Sequence, residues 1–271
     1  MSAAVESSAA VEPPRLEFRN ATRRFGAVTA AEGVSFSVHG GECVAVVGDN
    51  GAGKTTLMNL ASGVFPPSSG TIAIDGAEVS LGSPTEARDR GIETIFQDLA
   101  CCENLDAAAN IFLGRELRLS RRWGSRLARK AMREQARETL KTLDIELKDI
   151  DAPIRVLSGG QKKAVAIARA VHWQARLVIM DEPSAALGVP EQRKVAELIG
   201  TLKRSGLGVV LVSHSMPEVF EVADRIVVML RGHKVADMRC EETSIEEVVR
   251  LMVGGAHPVP HNLAEKGGHD H

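Results

Sequence analysis

The stretch ECVAVVGDNGAGKTT (residues 42–56) runs from an apolar strand candidate through a glycine-rich turn into a helix start. Gly48 through Thr55 match the pattern G-x-x-x-x-G-K-[ST]. Glycine lets the backbone turn sharply and aim its N–H groups inward, and the helix opening near Gly53 adds its positive end. The residues that would cradle phosphate are Gly48, Asp49, Asn50, Gly51, Ala52, Gly53, Lys54, Thr55 and Thr56. Lys54 supplies a point charge at the β/γ-phosphates, and the Thr55 hydroxyl is placed to ligate Mg²⁺. Alone, the motif specifies nucleotide binding and leaves kinases, GTPases and ATPases open.

Working outward, apolar runs such as CVAVVG, LVIMD and GVVLVS alternate with helical segments, the pattern of parallel strands covered on both faces by crossover helices. The chain reads as α/β. In LVIMDEP, a buried strand delivers Asp181 and Glu182 at its end, where open α/β sheets place ligands. An aspartate there can hold Mg²⁺ through water, while the neighbouring glutamate orients or deprotonates an attacking water. Hydrolysis is the expected reaction.

Composition narrows the class. The 271 residues are 44% hydrophobic, ample for a core, and 33 basic against 35 acidic residues leave no excess for nucleic-acid binding. Cys43, Cys101, Cys102 and Cys240 lack metal-ligand spacing and read as free thiols. No run is long and apolar enough to cross a bilayer, and the opening residues lack signal-peptide character.

Residues 1–14 and 254–271 read as poorly ordered tails around one domain, residues 15–253. His257, His261, His269 and His271 in the second tail are assigned no metal. From about residue 98 to 157 strand signals give way to helical ones, including a long polar candidate starting at Trp123, so a helical lobe is inserted in the sheet domain. Ser83-Pro84-Thr85-Glu86 and Ser244-Ile245-Glu246-Glu247 read as capping boxes, and Pro190 opens a helix to about Arg204. The basic run 115–137 reads as a solvated face.

A second glycine turn feeding a helix, LSGGQKKAVAIARA (residues 157–170), looks redundant beside the first. Followed by LVIMDE, it resembles the signature motif of ABC-type ATPases. The resemblance spans nearly the whole ordered chain, with six motifs in family order: Phe25 in RRFG, Gly48–Thr55, Gln97 in IFQD, Ser158–Gln161, Asp181 with Glu182, and His214 in VSHS. It implies a RecA-like P-loop NTPase core with an antiparallel β portion and the inserted helical subdomain.

The same resemblance implies head-to-tail pairing, each ATP lying between one copy's phosphate loop and the other's signature turn. Ser158, Gly159, Gly160 and Gln161 would then meet the γ-phosphate across the interface, and Phe25 would stack on adenine. Gln97 would contact Mg²⁺ and the attacking water, and His214 would orient that water and Glu182. Catalysis is expected of Glu182, His214 and Gln97, with Mg²⁺ held by Thr55, Gln97 and Asp181.

After DEPS the family usually continues with an SALD-like loop, whereas this chain reads Ala185-Ala186-Leu187-Gly188, which puts coupling between the two sites in doubt. Lacking a span, the chain resembles the separate ATP-binding subunit of bacterial ribose, xylose and fructose importers. That resemblance implies a homodimer, a membrane permease, a periplasmic sugar-binding protein as indirect partner, and a peripheral place on the cytoplasmic face of the inner membrane. Two rival readings are a nucleotide-dependent assembly switch with little turnover and a soluble ABC protein of translation or DNA repair.

Overall fold

The computed structural model describes residues 12–95, 101–119, 126–185 and 187–254. Two sheets share the core. The larger has the order β10-β9-β3-β8-β7-β6, formed by β3 (Cys43–Val47), β6 (Ile92–Ile95), β7 (Leu177–Asp181), β8 (Gly208–Val212), β9 (Arg225–Leu230) and β10 (His233–Arg239). The pairs from β6 to β9 are parallel and β10 returns antiparallel to β9. β3 and β8 are buried at every position, as their unbroken apolar runs require of strands covered on both faces.

The smaller sheet is antiparallel, in the order β2-β1-β4-β5, built from β1 (Leu16–Phe25), β2 (Val28–Val38), β4 (Ser69–Ile74) and β5 (Ala77–Val79). Val34, Phe36 and Val38 alternate inward along β2, and Phe18 stacks on Phe36 across the register with ring centroids 4.9 Å apart. This sheet and α1 (Lys54–Ala61) cover one face of the parallel strands. On the other face lie α5 (Gly159–His172) and α6 (Val189–Arg204), while α7 (Met216–Val222) and α8 (Ile245–Met252) close the end beside β9.

Between β6 and β7 come α3 (Ala107–Ile111), α4 (Arg129–Thr142) and α5; α2 (Pro84–Asp89) precedes β6. Asn110, 2% exposed, organises the turn before α3: its Oδ1 accepts from the Cys102 N–H at 2.8 Å, and its Nδ2 donates to the carbonyls of Cys102, Leu105 and Asp106. The largely buried pair Arg169–Glu93 ties α5 to β6, with the guanidinium donating to Glu93 Oε1 at 3.0 Å.

Two local expectations change. The polar helix expected from Trp123 begins only at Arg129, because residues 117–119 pair antiparallel with residues 126–128 through Arg118 and Leu127 and spend their backbone groups there. At α2, Ser83 Oγ accepts from the Glu86 N–H at 3.3 Å as a capping box requires, but the Glu86 carboxylate accepts from the Gly82 N–H at 2.9 Å rather than from Ser83. The signature helix starts at Gly159, within the glycine turn itself. Residues 1–11 and 255–271, including the four tail histidines, residues 120–125 of the basic run, Ala186 and Gln97 lie outside the described residues.

Candidate nucleotide site

The order of neighbouring strands assembles the site. β3 ends in the phosphate loop, β8 beside it ends at Ser213-His214, and β7 beside that ends at Asp181-Glu182. Three segments far apart in sequence therefore meet at the carboxyl edge of one sheet, where such sheets bind ligands.

The loop is held by close approach. Gly48 has φ 152°, and a Cβ there would lie 2.3 Å from the Met229 carbonyl; at Gly53, φ 102°, it would lie 2.4 Å from the Ala30 carbonyl. Gly51, φ 79°, has open space where a side chain would stand. Buried Lys54 begins α1 and donates from Nζ to the carbonyls of Gly48, at 2.7 Å, and Asp49, at 3.0 Å. Burial pushes its ammonium below the ordinary lysine range, against the pull of Glu182, Asp181 and Asp49. No acid in the first turn of α1 offsets the helix's positive end.

A cavity of about 350 Å³ opens over the loop, lined by residues 50–56 with Ala30, Asp181, Glu182, Val212 and His214. Burial raises the pKa of Asp181 and of Glu182; Lys54 and His214 only partly oppose it at Asp181, as His214 and its backbone do at Glu182. Glu182 adopts φ 50°, anchored by its N–H donating to the Val212 carbonyl at 2.8 Å. Its Oε1 is buried without a hydrogen-bond partner, and His214 Nε2 stands 3.3 Å away, near but out of hydrogen-bonding alignment. An unpaired carboxylate oxygen facing a cavity is an acceptor held ready for a proton, a water or a cation.

The second glycine turn lines none of this cavity. Ser158 caps α5: its Oγ accepts from the Gln161 N–H at 3.3 Å while Gln161 Oε1 accepts from the Ser158 N–H at 3.0 Å, a reciprocal box. Both glycines have packing reasons. A Cβ on Gly159 would meet Leu187 at 2.8 Å, and one on Gly160 would meet Glu191 at 3.1 Å. The turn sits flush against the segment that continues from Glu182, yet Ser158 and Gly159 stay exposed.

Phe25, 45% exposed, lies at the β1–β2 hairpin, five residues before the cavity-lining Ala30. Phe65 meets it edge to face at 5.2 Å, and the Arg23 guanidinium sits over both rings. The structure thus brings together the phosphate-loop residues, Asp181, Glu182 and His214, and keeps Ser158–Gln161 outside their cavity. Sequence reading missed Ala30 and Val212, whose backbones shape the cavity, and the buried Lys163. A lysine in phase with Ile167 and Ala170 on the apolar face of α5 was the available signal for the last.

Comparison with known proteins agrees with this geometry. The profile described as ABC transporter matches residues 31–185. The xylose/arabinose import ATP-binding protein XylG of Sulfolobus acidocaldarius is 45% identical over 241 residues, covering 89% of this chain and 94% of that protein. The fructose import ATP-binding protein FrcA of Rhizobium meliloti is 43% identical over 251 residues, 91% of this chain and 96% of its own length. A ribose import ATP-binding protein of Rubrobacter xylanophilus is 42% identical over 89% of this chain but only 46% of its own, longer chain. Among solved structures, an ATP-binding cassette of an ABC transporter, MJ1267, superposes with TM-score 0.75 at 27% identity, covering 89% of this chain and 96% of that one. The cbiO1 component of a Clostridium perfringens ABC transporter gives 0.74 at 26%, over 89% and 95%. The chain belongs to the ABC transporter family, as an ATP-binding cassette with the P-loop NTPase fold.

Proposed function

We propose that this chain is the ATP-hydrolysing subunit of an importer for a monosaccharide, working as a head-to-tail homodimer against a membrane permease. One observation carries the dimer: the phosphate loop, the acids and the histidine share a cavity, while the signature turn, capped and with Ser158 and Gly159 exposed, lines no part of it. Each copy holds a complete cradle without the donors that would close it, so the second copy's Ser158, Gly159 and Gly160 complete the site. The sugar class follows the xylose/arabinose, fructose and ribose import proteins to which the chain is similar. A periplasmic sugar-binding protein would deliver substrate to the permease. No helix among the described residues is long and apolar enough to cross a membrane, which suits a peripheral subunit at the cytoplasmic face.

Glu182 is assigned as the base that draws a proton from the attacking water, with His214 orienting that carboxylate and Gln97 helping place the water. Lys54 and the loop N–H groups hold the β/γ-phosphates, and Phe25 offers its ring to adenine. The donor set fits Mg²⁺: the Thr55 hydroxyl and the Asp181 carboxylate, hard oxygen donors, border the same cavity, and Gln97 would join them from the sequence. The ion would neutralise phosphate charge there. We assign residues 15–253 to the ATPase domain, with residues 98–157 as its helical lobe.

The test is Glu182→Gln in the full chain. Size-exclusion chromatography with ATP is expected to show an accumulated ATP-bound dimer and phosphate release should be lost; normal hydrolysis by this variant would remove Glu182 from its role.

A further inference from the structure

The strap that delays α4 lines no part of the nucleotide cavity. Its residues 117–119 and 126–128 pair antiparallel, the Leu119 N–H donating to the Arg126 carbonyl and the Ala128 N–H to the Leu117 carbonyl, each at 2.8 Å. Arg118 therefore stands opposite Leu127, and Leu119 opposite Arg126. Adjacent strand residues face opposite sides, so each side of the strap shows one leucine and one arginine. Leu117 packs against the core, whereas Leu119 is 44% and Leu127 38% exposed.

The cations bordering the strap are spent on acids: Arg115 on Asp89 at 3.1 Å and Arg133 on Asp151 at 2.7 Å. Between those two pairs, Arg126, Arg129 and Lys130 are exposed, and none has a carboxylate within ion-pair distance among the described residues. Arg129 and Lys130 also occupy the first turn of α4, where no acid stands and Ala128 offers no side-chain cap. Cations at that end oppose the helix's own dipole and detract from the helix that carries them. An anionic surface outside the chain would relieve both.

We infer that this strap is a contact for an anionic phospholipid bilayer, its leucines entering the interface while Arg118, Arg126, Arg129 and Lys130 meet headgroup phosphates. Charge complementarity supplies the attraction, and the long stems of the basic side chains reach the phosphates from beside apolar groups. Nucleic acid fits less well: it would use the cations and leave both leucines in water. A flat protein face covers one side of the strap, whereas lipid closes around both. The inference goes beyond the importer reading and needs neither nucleotide nor permease.

The experiment floats the full chain, without nucleotide, with vesicles of phosphatidylcholine alone or of equal parts phosphatidylcholine and phosphatidylglycerol. The parent is expected to bind the anionic vesicles at least about tenfold more tightly than the neutral ones, and to let go as salt is raised. Arg129→Glu combined with Lys130→Glu should weaken that binding at least about tenfold. Its Tm should equal or exceed the parent's, because acids suit the start of a helix, so lost binding is not lost fold. Leu119→Ser combined with Leu127→Ser should bind about fivefold more weakly at unchanged charge. Equal binding of the parent to both vesicles, or parent-like binding by either folded variant, would overturn the inference. So would tighter binding of the parent to a DNA duplex than to the anionic vesicles. Should the leucine variant fail to fold, the charge variant decides alone. Phosphate release by the parent, measured separately, tests the ATPase reading without touching this one.

Discussion

The Lys54 ammonium donates to the Gly48 carbonyl at 2.7 Å, bridging the two ends of the loop that carries both residues. The lysine that would meet phosphate is therefore a strut of its own cradle. Lys54→Met is expected to abolish ATP binding, read by equilibrium titration with a fluorescent nucleotide analogue. It also leaves two loop carbonyls unpaired, and thermal melting of the free protein should show a loss of about 1 kcal/mol.

Glycines in the same loop separate stability from binding. Gly48→Ala forces a Cβ to 2.3 Å from the Met229 carbonyl, so the loop or β9 must move, and a loss of about 3 kcal/mol or more is expected in urea melts. Gly51→Ala meets nothing and bears only the strain of its positive φ, about 1 kcal/mol. Its methyl group nevertheless enters the space left for phosphate, so ATP affinity should fall at least about tenfold in a protein of nearly parental stability.

Burial raises the pKa of Glu182 above the unfolded value, so folding takes up a proton between the two values and stability falls as pH rises through that window. At neutral pH the ionised carboxylate opposes folding of the free chain. Glu182→Gln should therefore raise Tm by about 2 °C without nucleotide while it stops hydrolysis, a trade of stability for function. At pH 4, where both folded and unfolded forms are largely protonated, the gain in Tm should shrink, which differential scanning calorimetry at the two pH values would register.

The Arg169–Glu93 pair joins the signature helix to the strand that leads toward Gln97. Glu93→Ala strands a guanidinium with only 14% of its side chain exposed. Equilibrium unfolding should report a loss of about 3 kcal/mol, and Arg169→Met, which removes the cation instead, should cost less when combined with Glu93→Ala than the two single changes summed.

Much of this site was legible because its parts are local. GDNGAGKTT, DEP and LSGGQ each place their chemistry by backbone geometry at the end of one element, and the strands feeding them are unbroken apolar runs. The role of His214 beside the acids came through family resemblance, whereas the strand order β3-β8-β7 that puts it there is visible only in the structure, since periodicity does not encode which strands pair. What escaped reading depended on tertiary contact. The bridge at Arg118–Leu127 overrode helix propensity, Glu86 chose Gly82 over Ser83, and the burial of Lys163 rests on the Ala185 carbonyl that accepts from it. Gly188 is the N-cap of α6 with no side chain to offer, and the carboxylate of Glu191 lies 2.9 Å from where its Cβ would stand. An acid at 188 would crowd another acid, which is a local reason for its absence.

Ser158 and Gln161 satisfy each other before any second molecule arrives. A surface already frozen in its final shape surrenders little freedom when it docks, so the encounter is costed chiefly by the lost tumbling of two bodies. In the proposed dimer the lifetime of the closed pair would then be governed by what lies in the crevice between the copies, and the assembly would behave as a clock wound by nucleotide rather than as a permanent complex.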